Sequence, residues 1–198
     1  TIHSSRAMAK YLQGDFIGAI QDYSKAILEM PQNQNLYTLR GGAYEALNKE
    51  REAEADFIKT LELDPNHYIA SYRLGMLYSR RKELEKAVKW LKISFEKAPD
   101  LSNLDHVIKD RNNILFVGKQ VVAGNAGNFL MQLGRFDESM EYVDAAIQIE
   151  PNYPNPYFVK GLLLAQIGRP KEGIPYLEKA VSLGYTPAVQ ALNMIKMM

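Results

Sequence analysis

The chain has no cysteine among its 198 residues. That excludes disulfides, thiolate nucleophiles and zinc–thiolate sites. It fits a reducing compartment, and a cytoplasmic location is the expectation. Charge of one sign is also lacking. There are 24 basic and 23 acidic residues, for a formal net charge of +1, so no global field draws the chain to nucleic acid or to an anionic membrane. No apolar run approaches the ~20 residues that cross a bilayer, and no secretory signal is visible. The chain opens on Thr1 rather than Met, which leaves room for an upstream targeting segment. Histidine is scarce. His3, His67 and His106 stand far apart, and none has a second ligand at metal-binding spacing on its own helix. His67 follows a proline and reads as a loop residue. There is no Gly-x-Ser-x-Gly and no Cys–His pairing. The acidic run at 50 to 56 (EREAEAD) reads as a solvated helix face. No catalysis, metal or cofactor is expected.

Proline is present and regularly placed. Pro31, Pro65 and Pro99 follow one another at intervals of 34 residues, and Pro151 follows after 52, which is one further period plus 18. Ahead of these prolines stand Ala19, Tyr23 and Ala26; Ala53, Phe57 and Thr60; Ala87, Leu91 and Ser94; and Ser139, Val143 and Ala146. A fifth set, Gly173, Leu177 and Ala180, precedes Tyr185, which takes the proline's place. The first half of each period repeats too, as in Gly41-x-x-Tyr44, Gly75-x-x-Tyr78, Gly127-x-x-Leu130 and Gly161-x-x-Leu164. A small residue followed three later by a large apolar one marks one helical face. Each period therefore reads as two helices, A then B, joined by a tight turn near Gly14, Asn48, Lys82, Gly134 or Gly168. Close antiparallel packing needs a small residue on one helix opposite a bulky one on the other. Proline ends helix B because it lacks an N–H and disfavours helix before it. One helix pair cannot bury its own apolar stripe, so the unit must be stacked.

The second unit places Tyr37, Gly41, Tyr44, Ala53, Phe57 and Pro65 at the spacing of the tetratricopeptide repeat, which this chain resembles over nearly its whole length. Lys10, Arg40, Thr60 and Tyr185 depart from that pattern. The resemblance implies an all-α fold, a right-handed superhelical solenoid of about five helix-turn-helix units (1–33, 34–67, 68–101, 120–153 and 154–185). Residues 102–119 are an insertion that either extends helix A of unit four, from near Ser102, or precedes it as a separate helix with a loop at Asn112-Asn113. Residues 186–198 read as a capping helix, with Thr186 as its N-cap, Pro187 in its first turn, and Val189, Leu192 and Ile195 covering the end of unit five. Gly124-x-x-Gly127 lacks the third glycine and the lysine of a nucleotide loop and belongs to helix A of unit four.

In the family this resembles, helix A of each unit lines a concave groove that takes an extended or helical peptide. The matching positions here are Ser4, Met8 and Tyr11 in unit one, and Asn35, Thr38, Gly42 and Glu45 in unit two. Unit three supplies Ile69, Tyr72, Met76 and Arg80, and unit four Val121, Gly124, Asn128 and Met131. Unit five supplies Asn155, Phe158, Leu162 and Gln166. Met and Tyr give adaptable apolar contact, and Asn and Gln satisfy a peptide backbone. The expected partner is a protein or peptide segment, partly apolar and not strongly charged, with no nucleic acid and no membrane insertion. The cationic clamp by which some family members hold a terminal carboxylate is absent, since of its matching places only Arg73 fits. Residues 80–97 carry seven basic and three acidic groups, and 135–150 one basic and five acidic. Both stretches lie on helix B. Three readings stay open: a non-enzymatic peptide-binding scaffold, an oligomerisation or complex-assembly module that uses the apolar last helix and the polarised outer face in self-association, and an accessory domain of a longer enzyme.

Overall fold

Every regular element in the computed structural model, which describes residues 1–99 and 117–197, is a helix. The helices run in antiparallel pairs. The first is α1 (Ile2–Leu12) with α2 (Phe16–Glu29), followed by α3 (Gln34–Ala46) with α4 (Glu50–Leu63) and α5 (Tyr68–Arg80) with α6 (Leu84–Lys97). After these come α7 (Lys119–Gln132) with α8 (Phe136–Ile149), α9 (Pro154–Gln166) with α10 (Pro170–Ser182), and a last helix α11 (Pro187–Lys196). Each B helix also packs on the A helix that follows it, so the pairs stack into a solenoid. The stack continues from α6 to α7.

All five A-to-B turns are built alike. Gly14, Asn48, Lys82, Gly134 and Gly168 have φ of 82°, 56°, 60°, 74° and 80°. In the first turn, Gly14 N–H donates to the Tyr11 carbonyl at 3.0 Å and Asp15 N–H to that of Lys10 at 2.9 Å. The left-handed residue lets the chain satisfy helix A's last carbonyls and reverse at once. Between the paired helices, small faces large. A Cβ on Gly41 would lie 2.6 Å from Phe57, and one on Gly127 2.5 Å from Val143. Tyr23, Phe57, Leu91, Val143 and Leu177 are all fully buried, each worth ~1.5–3 kcal/mol of apolar burial.

The departures from the repeat pattern have structural reasons. Helix A and helix B meet at a register where the two residues lie 16 apart in sequence. In unit two these are Arg40 and Asp56. Arg40 Nε and Nη2 donate to the carboxylate at 2.8 and 2.7 Å, while Nη1 donates to Ser24 Oγ of unit one at 3.0 Å. In unit one they are Arg6 and Asp22, bonded the same way at 2.6 and 2.6 Å, with Lys10 adding 2.9 Å. Hydrogen bonds from Arg6 and Lys10 hold the Asp22 carboxyl well below its ordinary range. Burial outweighs Arg40 at Asp56, whose pKa is raised. Units three and four fill the register with Leu74–Trp90 and Ala126–Tyr142 inside apolar clusters. Unit five uses Lys160, 4.5 Å from the centre of the Tyr176 ring. Thr60 bonds Thr38 Oγ1 at 3.0 Å and the Asp56 carbonyl at 3.0 Å, which secures its hydroxyl in the core.

Four expectations are corrected. Gly118 is extended (φ −68°, ψ 141°) and caps α7 at Lys119, so no single helix runs through it into unit four. The remainder of the 102–119 expectation falls on residues 100–116, outside the described ones. The acidic run at 50 to 56 is not simply solvated, because Asp56 is buried against Arg40. Thr186 already has helical backbone angles and makes no side-chain cap bond. Val189 is exposed, and α11 packs through Ala188, Ala191, Leu192 and Ile195. The reason lies in the preceding turn. Gly184 has φ 85°, its N–H donates to the Val181 carbonyl, and Tyr185 N–H donates to that of Ala180. That is the A-to-B pattern, used here after a B helix, and α11 is accordingly set in a different register from a sixth helix A.

Candidate interaction surface

The structure brings part of the expected groove together across units three to five. Asn125 Nδ2 donates to Tyr72 OH at 3.3 Å. The Tyr153 ring and Asn155 Oδ1 close over Gly124, where an added Cβ would meet the amide oxygen at 3.1 Å. Asn155 Nδ2 donates to Tyr185 OH at 3.5 Å, and the Phe158 and Tyr185 rings stand 5.2 Å apart. Burial raises the pKa of Tyr72 and of Tyr153, and Tyr153 also feels Tyr72 and Tyr185. The result is a contiguous patch of half-buried phenols and amides. Asn155 Oδ1 is buried with no partner among the described residues.

Other expected residues sit differently. Thr38, Ile69 and Met131 are 2%, 6% and 7% exposed. They face the core rather than the groove, with the Thr38 hydroxyl bonded to Gln34 and Thr60. Glu45 and Arg80 are bonded to each other at 2.7 Å, and Arg73 adds 3.3 Å to the same carboxylate. These charges are spent within the chain between units two and three. Asn35 is exposed and lies 3.2 Å from His67 Nε2. Met8, Tyr11, Met76, Asn128, Phe158 and Leu162 are half-buried. Sequence reasoning missed Asn125, Tyr153 and Tyr185. Only Tyr185 carried a signal, as the aromatic standing in a proline's place.

His67, expected as a loop residue, caps α5. Its Nδ1 accepts the Ala70 N–H at 3.2 Å. Between units two and three, Arg81 bonds Glu50 at 2.9 Å and Glu54 at 2.6 Å, and Tyr78 donates to Glu54 at 2.5 Å. The opposed charges of units three and four also meet each other. Lys92 pairs with Glu138, and Arg135 with Glu85 at 3.0 Å. Among the described residues no three His, Asp or Glu groups gather to hold a metal ion, and no described helix is long and apolar enough to cross a membrane.

Comparison with known proteins agrees with this architecture. The tetratricopeptide repeat profiles match residues 38–101, 122–153 and 154–183. The protein SGT1 homolog of Oryza sativa subsp. japonica is 32% identical over 106 residues, which is 54% of this chain and 29% of the relative. The human protein O-mannosyl-transferase TMTC3 is 26% identical over 165 residues, 83% of this chain and 16% of the relative. The chain thus spans less than a third of the length of these relatives. Among solved structures, MamA superposes with a TM-score of 0.73 at 23% identity, covering 92% of this chain and 90% of that one. YrrB, described as a TPR protein with an unusual peptide-binding site, gives 0.73 at 18% identity, covering 96% and 89%. With an all-helical stack of the matching design and repeat matches in both halves, this chain belongs to the tetratricopeptide repeat family.

Proposed function

We propose that the chain is a non-enzymatic interaction scaffold whose concave side holds a polypeptide segment of a partner. The observation that carries this reading is the run of phenols and amides from Tyr72 through Asn125 and Tyr153 to Asn155 and Tyr185, which crosses three units without a break. Phenol rings offer rigid apolar area with a polar tip. Side-chain amides pair with the N–H and C=O groups of a main chain. The cationic groups nearby are already matched to Glu45, so the segment it holds is partly apolar and weakly charged. YrrB, similar in fold, has a peptide-binding site by its description, which supports the same use here. The catalytic name of the human relative attaches to a protein of which this chain matches 16%, and no transferase role is assigned to the repeats.

Selection from a random displayed peptide library tests the proposal. Peptides recovered on the wild-type chain should share apolar residues at a fixed spacing, carry little charge and lose binding to Tyr72→Ala with helicity retained. Peptides that bind Tyr72→Ala and Leu162→Ala as tightly as wild type refute a concave site.

A further inference from the structure

Three phenols gather in the concave patch from three different elements. Tyr72 belongs to α5, Tyr153 stands just before α9, and Tyr185 lies in the turn that precedes α11. Their hydrogen bonding is one-sided. Tyr72 and Tyr185 each accept an amide hydrogen, from Asn125 at 3.3 Å and from Asn155 at 3.5 Å. Neither hydroxyl donates to an acceptor among the described residues, and the Tyr153 hydroxyl makes no bond to any of them. Burial raises the pKa of Tyr72 and of Tyr153, so these two phenols keep their protons at neutral pH. Side-chain acceptors are scarcer. Asn155 Oδ1 is buried beyond a partner's reach, and Glu45 already holds Arg73 and Arg80. The amide oxygens of Asn125 and Asn128 make no bond among the described residues.

An excess of donors selects among the shapes that a bound segment can take. A helix has its main-chain carbonyls bonded internally and leaves the phenols unanswered. An extended strand presents an N–H for every C=O and needs acceptors as much as donors. A proline-rich segment in polyproline II form has free carbonyls, lacks an N–H at each proline, and docks in aromatic-lined grooves. Spacing points the same way. Helices α7 and α9, the A helices of units four and five, pack directly on each other, and packed helices lie ~8–10 Å apart. One turn of polyproline II takes three residues of ~3.1 Å, about 9 Å in all. A segment crossing the A helices therefore turns the same side to successive units. The two-residue repeat of a strand, about 6.6 Å, falls out of step.

We infer that Tyr72, Tyr153 and Tyr185 make the concave site selective for a proline-rich segment of a partner polypeptide, held in polyproline II form with its main-chain carbonyls accepting from the three hydroxyls. This rests on the concave reading above and adds to it the chemistry and shape of what is bound. The Phe158 and Tyr185 rings, 5.2 Å apart, and Met76 beside Tyr72 supply apolar wall for the pyrrolidine rings. The amide oxygens of Asn125 and Asn128 serve the N–H of a residue between prolines. An anionic segment is disfavoured, because the cations Arg73 and Arg80 are paired with Glu45.

The probes are two fluorescein-labelled synthetic peptides, one of four Pro-Pro-Leu repeats and one with every proline replaced by alanine. Each is titrated into the intact chain by anisotropy. The proline peptide should saturate and bind at least about tenfold more tightly than the alanine peptide. Tyr153→Phe keeps the ring and breaks no bond within the described chain. It should weaken the proline peptide about three- to tenfold, the share of one hydrogen bond. No saturable binding of the proline peptide, equal binding of the two peptides, or equal binding of the proline peptide by wild type and Tyr153→Phe overturns the inference. Library-selected peptides that lack proline yet depend on Tyr72 also overturn it, while leaving the concave site in place. A proline peptide bound as tightly by Tyr72→Ala as by wild type, with no library peptide that depends on Tyr72, removes the concave reading and the inference together.

Discussion

Replacing Arg40 by the leucine usual in the family tests the register pair most sharply. Asp56 is 5% exposed in the fold. Its two oxygens are held by Arg40 at 2.7 and 2.8 Å. Removing the cation strands a buried carboxylate and also breaks the bond to Ser24. Breaking such a pair from one side costs about 3–5 kcal/mol. Burial already raises the Asp56 pKa, and without Arg40 it rises further. An acid whose pKa is raised on folding binds its proton more readily folded than unfolded. The defect should therefore be greatest at neutral pH and shrink as pH falls through the raised value. The double variant Arg40→Leu with Asp56→Trp copies the Leu74–Trp90 pair of unit three and leaves no charge. It should recover most of the loss, since apolar replacement of a buried pair is often neutral or better by about 1–4 kcal/mol. Urea unfolding followed by helical circular dichroism measures all three proteins. An Arg40→Leu variant within about 0.5 kcal/mol of wild type, or a double variant no better than the single one, would refute the reasoning.

Three further outcomes follow from the same structure. Lys82 holds φ 60° in an exposed turn, so Lys82→Gly should raise stability by about 1 kcal/mol in the same urea assay. Gly173 meets backbone, since a Cβ there would lie 2.5 Å from the Gly161 carbonyl oxygen. Gly173→Ala should then cost about 1–3 kcal/mol despite alanine's better helix propensity, and a neutral result would show that α9 and α10 can separate freely. His67 caps α5 through an unprotonated Nδ1, and burial lowers its pKa below 6.5. Its contribution is complete above that value and is lost as pH falls through the folded one. From about pH 7.5 to about pH 5 the wild type should lose more melting temperature than His67→Asn, which keeps a capping side chain without titrating.

The parts of the fold legible in the sequence were those fixed by a local steric demand. Gly14, Gly134 and Gly168 mark left-handed turns because little else fits there cheaply, and the period carried that reading to Asn48 and Lys82. The glycines opposite Phe57 and Val143 were legible for the same reason. What depended on the orientation of a whole helix was less so. Thr38, Ile69 and Met131 stand at groove positions by their register, yet all three are buried, because the packing of neighbouring helices rather than the period of one helix sets which side is covered. Arg40 looked like a departure until Asp56 and Ser24 were seen around it. The facing of α11 hinged on a turn of the wrong type for its place, signalled only by Gly184. Asn125 and Tyr153 joined the candidate surface because their neighbours came from other units.

The central claim is that the concave side holds the partner segment. Methyl labelling of the eight methionines distinguishes the faces in one titration with a peptide selected on the wild-type chain. Met76, packed beside Tyr72 in the cluster of units three and four, should shift progressively to saturation, while Met30, Met140 and Met194 stay still. Saturating shifts at Met30, Met140 or Met194 with Met76 unmoved would place the partner elsewhere and contradict the account.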